Sequence, residues 1–176
     1  LIEPDSQKFH HSFILTARLA SGLVIYNQEL VDSWRRIYSV NNEIDHKIIS
    51  LYVDSLKDME DMKQAIDSQA ELTLYLGIAI TDGLMRALLI CNGYLGQGTK
   101  WLRAVSGIIE EKGMNADLLS RGRKLLFPTV FDDRGSQQEY FDSVLSFSRE
   151  VDKAIRATAG VGDVLDYMIA DLDLLH

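Results

Sequence analysis

The sequence predicts an all-α fold, a compact bundle of about six to eight helices around one central apolar helix, and three observations carry that prediction. The only prolines are Pro4 and Pro128, so nearly all of the interior lacks the residue that most strongly breaks helices. Apolar residues recur at spacings of three and four through most of the chain, the period of a helix with one buried face. Glycine and asparagine fall between these periodic runs, where helices end and restart.

The elements follow in order. Asp5 or Ser6 caps a first helix over 6–26, with Phe9, Phe13, Ala17, Ala20 and Val24 as its stripe. Asn27 caps a short second helix carrying Leu30, Val31, Trp34, Ile37 and Tyr38, and the Asn41, Asn42 pair reads as a turn and a new cap. From Asn42, the residues Ile44, Ile48, Leu51, Tyr52, Leu56, Met59, Met62 and Ile66 hold one face of the clearest amphipathic helix in the chain.

Glu71 to Leu95 is apolar nearly all round, as expected of a helix in the middle of a bundle. Within it Leu72, Leu74, Leu76, Ile78 and Ile80 also alternate with period two, so a buried strand over 72–80 stays open. The stretch is about long enough to span a bilayer, but Asp82 and Arg86 interrupt it, and each costs roughly 3 kcal/mol at mid-membrane. No membrane span is expected.

Gly93, Gly96 and Gly98 mark a loop, and Thr99 opens a helix through Trp101, Leu102, Val105, Ile108 and Ile109. Asn115 or Asp117 restarts the chain into Leu118, Leu119, Leu125 and Leu126. Phe127 precedes Pro128, which biases it away from helix, so this element ends there and 128–135 is the best internal boundary. Ser136 with Glu139 has capping-box spacing before Phe141, Val144, Leu145, Phe147, Val151 and Ile155. A last helix follows Gly160 and Gly162. The whole chain, 1–176, reads as one domain, since 176 residues suffice for a single substantial core.

Composition narrows the function. Apolar residues make up 47% and charged residues 25%, an ordinary soluble globular balance. Lys and Arg number 18 against 26 Asp and Glu, for a net charge of −8, which repels phosphate backbones and makes nucleic acid an unexpected partner. A lone cysteine, Cys91, excludes an internal disulfide and a cysteine-based zinc site, and points to a cytoplasmic or otherwise intracellular setting.

Catalytic constellations are incomplete. The glycines of CNGYLGQGTKW match neither GxxxxGK[ST] nor GxGxxG, and no serine sits in a GxSxG elbow. His10 and His11 are adjacent and point about 100° apart on a helix, so they do not chelate one metal, and His46 and His176 are isolated. Cys91 lies in the most apolar stretch, where burial makes a thiol inert.

Three candidate sites remain. Asp82 and Arg86, one turn apart in an apolar helix, form either a structural ion pair or the polar anchor of a small-molecule pocket walled by Tyr75, Met85 and Trp101. Trp34 followed by Arg35 and Arg36 is either a core tryptophan with arginines reaching to solvent or a partner-binding hot spot, since Trp and Arg dominate interface energetics. Asp58 with Asp61, and Asp163 with Asp166, each place two carboxylates on one helical face, and if the two pairs face each other they suit Mg²⁺.

The expected function is a non-enzymatic helical domain, regulatory or scaffolding, acting on a protein partner or by self-association, without a cofactor. The alternatives are a small-molecule sensor bundle and a Mg²⁺-dependent phosphohydrolase.

Overall fold

The computed structural model describes residues 26–37, 40–66, 68–92, 115–128 and 134–157. The expected helix over 6–26 lies outside them but for Tyr26, and the expected helices after Thr99 and after Gly162 lie outside them, as do the glycine-rich loop, Trp101, Asp163, Asp166, His10, His11 and His176. The described residues form five helices and no strand. These are α1 (Gln28–Ile37), α2 (Val40–Ala65), α3 (Ala70–Cys91), α4 (Ala116–Leu125) and α5 (Arg134–Arg156). The 72–80 segment is therefore helix: its alternation is a by-product of a helix apolar on nearly every side.

Local chemistry sets most of the boundaries. Asn27 takes a left-handed conformation, φ 54°, and its Oδ1 accepts the Leu30 N–H at 3.1 Å, so it caps α1 as its residue type suggests. α2 begins by Val40, which puts Asn41 and Asn42 inside its first turn rather than at the turn and cap expected there. At its other end Ser68 and Gln69 both donate backbone N–H groups to the Ala65 carbonyl, and this tight turn folds α3 back along α2 as a helical hairpin. Asn92 closes α3 by donating its side-chain amide to the Leu88 carbonyl at 2.7 Å. Asn115 precedes α4 with φ 50° and makes no side-chain cap bond; its contribution is the backbone turn. α4 stops at Leu125, three residues before Pro128, as the pre-proline bias requires. α5 starts at Arg134, so Ser136 and Glu139 lie within its first turns rather than at its start, where their spacing predicts a cap.

α3 is the centre. It packs along α2 and also against α5 and α4, while the main described neighbour of α1 is α2. By length and composition alone α3 suffices to cross a membrane, but 56% of its most apolar 18-residue window is buried inside the protein. The core joins Ile48, Tyr52, Leu56, Met59 and Met62 of α2 to Ile80, Leu84, Met85 and Leu88 of α3, Leu119 of α4, and Val144, Phe147, Val151 and Ile155 of α5. Buried hydroxyls inside these helices bond one turn back, Thr81 to the Gly77 carbonyl at 2.7 Å and Ser148 to the Val144 carbonyl at 2.9 Å, so none enters the core unsatisfied.

Glycine sits where helices come closest. A Cβ on Gly77 would meet the Tyr140 ring and the Met62 methyl, and one on Gly122 would meet the Met85 sulfur at 2.6 Å and the Phe147 ring at 2.9 Å. Two tyrosines then tie α5 down. Tyr140 donates its hydroxyl to the Leu125 carbonyl at 2.8 Å, and Tyr52 donates to Asp152 at 2.7 Å, where Arg156 also binds both carboxylate oxygens. Burial, and for Tyr52 the neighbouring Asp152 carboxylate, push both phenols well above their usual pKa, so each stays a donor at any physiological pH.

Candidate functional site

α1 carries the most unusual surface in the described part of the chain. Leu30 and Trp34 stand four residues apart, hence one above the other on the helix, and both point outward with 43% and 42% exposure. Tyr26, just before the cap, is 89% exposed. Six large apolar side chains are exposed among the described residues, and these three fall within nine consecutive positions. Beside this stripe, Val31 and Arg35 are half-buried, and Arg35 pairs with Asp32 at 3.0 Å, one turn earlier. The helix thus turns much of its apolar surface to solvent. Arg36 and Glu29 are both exposed, along one edge of the outward stripe. Of the three residues singled out here from sequence, Trp34 and Arg36 reach the surface, and Arg35 lies partly against the protein.

The second candidate centres on the outer side of α3. Asp82 Oδ2 and the Arg86 guanidinium are 2.8 Å apart, with side chains 18% and 30% exposed. Burial raises the Asp82 pKa, and the ion pair with Arg86 offsets only part of that rise. Its other oxygen, Oδ1, is buried and has no hydrogen-bond partner among the described residues. Lys47 approaches from α2: burial and then the nearby Arg86 charge lower its pKa, against a weaker opposing pull from Asp54. Of the expected pocket walls, Trp101 lies outside the described residues. Tyr75 is 68% exposed, whereas Met85 is fully buried against Gly122 on the side that faces α4.

The third candidate is half described. Asp58 is half-buried and Asp61 exposed on α2, and the Asp58 pKa is raised by burial first and then by Asp61 and Asp54. Among the described residues no three His, Cys, Asp or Glu side chains gather as a metal site.

One feature escaped the sequence reading. An open groove of about 440 Å³ runs between α4 and α5, lined by Arg121, Lys124, Leu125, Asp142, Ser143 and Ser146. Arg121 spans it to an ion pair with Glu150 and a bond to the Ser146 hydroxyl at 3.3 Å. The basic run Arg121, Arg123, Lys124 was its signal, one that an overall charge of −8 conceals. No family model, no curated protein and no solved structure matches this chain.

Proposed function

We propose that this protein is a non-enzymatic helical domain that works through protein–protein contact in a regulatory or scaffolding role, with α1 as the contact element. The observation that supports this most is the outward placement of Tyr26, Leu30 and Trp34. Exposed apolar surface forgoes roughly 25 cal/mol per Å² that burial would return, so a stripe of large side chains left in water is best accounted for by a partner that covers it. A tryptophan with an arginine two residues on supplies the side-chain types that anchor protein interfaces. In this reading the segments on either side of the described core complete a bundle of six to eight helices, and the protein acts inside the cell.

Native mass spectrometry of the purified full chain tests the reading first. The expected spectrum contains only the bare chain or whole-number multiples of it, and a stoichiometric mass excess from a metal or an organic molecule overturns it. A photoreactive amino acid in place of Leu30 tests the surface. Polypeptide adducts are expected, and reaction with solvent alone counts against α1 as the contact element.

A small-molecule site at Asp82 is the second reading, and the buried Oδ1 favours it, because an oxygen there without a donor suits a ligand amine or hydroxyl. The mass spectrum separates the two.

A further inference from the structure

We propose that the occupant of the α1 face is α1 of a second copy of this chain, laid antiparallel across it about a twofold axis. The inference rests on the contact reading above and adds the identity and orientation of the partner.

Register and charge carry it. Glu29 and Arg36 stand seven residues apart, two helical turns, and so share one edge of the outward stripe. In a twofold antiparallel pair, Leu30 of one copy faces Trp34 of the other, and the same register sets Glu29 against Arg36 of the other copy to within one residue. Symmetry repeats each contact, giving two apolar contacts flanked by two opposite charge pairs. A parallel twofold pair would instead carry Glu29 and Arg36 to opposite edges of the contact, where they form no such charge pairs, and would align the two helix dipoles, which is unfavourable. Ser33, between Leu30 and Trp34 and small, falls near the twofold axis, where two backbones approach closest. A contact of one ten-residue helix per copy is well below the roughly 800 Å² per partner of a standard interface, so the dimer is weak and populated only at about 10–100 µM.

Sedimentation velocity of the full chain across that concentration range tests the proposal. The expected result is a concentration-dependent monomer–dimer equilibrium that Trp34→Ser weakens at least about tenfold. Glu29→Arg and Arg36→Glu should each weaken it by about as much, and the double charge swap should restore association to within about threefold of the parent, because only this pairing brings positions 29 and 36 of different copies together. Far-ultraviolet circular dichroism confirms that each variant stays helical. As a check independent of charge, Ser33→Cys in a Cys91→Ser background should form a disulfide-linked dimer under mild oxidation. A chain that is monomeric throughout, or a double swap no better than the single variants, overturns the proposal. If the monomeric chain still gives adducts to a different polypeptide from position 30, the contact reading stands and only the second copy falls; a monomer with no adduct removes both.

Discussion

α3 and α1 are both helices with large apolar side chains, yet they treat them in opposite ways. α3 sits between α2, α4 and α5 and buries Ile80, Leu84, Met85 and Leu88 completely, keeping Asp82 and Arg86 at its edge. α1 half-buries Val31 and Arg35 and holds Leu30 and Trp34 in solvent. In α3 most apolar residues serve folding and are repaid by contacts within the chain, with Leu72 and Tyr75 near its start left exposed. In α1 they lie where folding gains little from them, and that mismatch between chemistry and burial is the best pointer to function that the molecule offers.

The contrast is open to direct attack, beginning with its largest consequence. Leu88→Ala removes a fully buried side chain from α3 and should lower the unfolding free energy by about 3–5 kcal/mol in urea denaturation. A loss below about 1 kcal/mol would mean α3 is not the core. Gly77→Ala comes next. Alanine is the better helix former by about 1 kcal/mol, but its methyl collides with the Tyr140 ring, and overpacking of that kind costs about 1–3 kcal/mol, so thermal unfolding should show a net loss. Gly122→Ala should cost less, since the Met85 side chain in its way is flexible.

Tyr52→Phe takes the donor from Asp152 while leaving Arg156 in place, and should cost about 1 kcal/mol. Asp82 gives a signed pH dependence. Its folded pKa is raised, so the native state holds that proton more tightly than the unfolded chain does, and stability is lost as pH climbs from the ordinary carboxylate value through the raised one. Asp82→Asn should remove that decline from a series of denaturation curves across acid pH, and an unchanged slope would show that the oxygen is solvated. The smallest effect belongs to Leu30→Ala, which should shift stability by less than about 0.5 kcal/mol in dilute solution although it deletes the same atoms as Leu88→Ala. A Leu30 cost approaching that of Leu88 would place α1 in the core and end the comparison.

How far the sequence foretold this depends on the range of the interaction. The amphipathic run from Asn42 to Ile66 became α2 with its ends displaced by a residue or two, because a 3.6 period repeated over six turns leaves little ambiguity, whereas the apolar run from Glu71 became α3 although its alternation over 72–80 leaves a strand open. Asn27 was readable as a cap, for capping is chemistry among four consecutive residues. α1 was readable as a helix but its facing was not. Leu30 with Trp34, and Val31 with Trp34, both satisfy the spacing of three and four, and only the neighbours in space decide which is outward. The same blindness hid the meeting of Gly77 with Tyr140 and the groove at Arg121, since both join side chains from helices far apart in sequence.

The bond from Tyr52 to Asp152 has a consequence for how the chain is made. α2 and α3 are adjacent in sequence and can zip together as soon as both have left the ribosome, each contact closing only a short loop. Tyr52 must wait, because its acceptor lies 100 residues downstream. Until α5 arrives, the α2–α3 hairpin carries an apolar flank and a phenol hydroxyl that the finished core will bury. The nascent protein therefore passes through a stage in which the hairpin is built but its seal against α5 is missing, and it is in that interval, more than in the finished fold, that it is exposed to aggregation and to capture by chaperones.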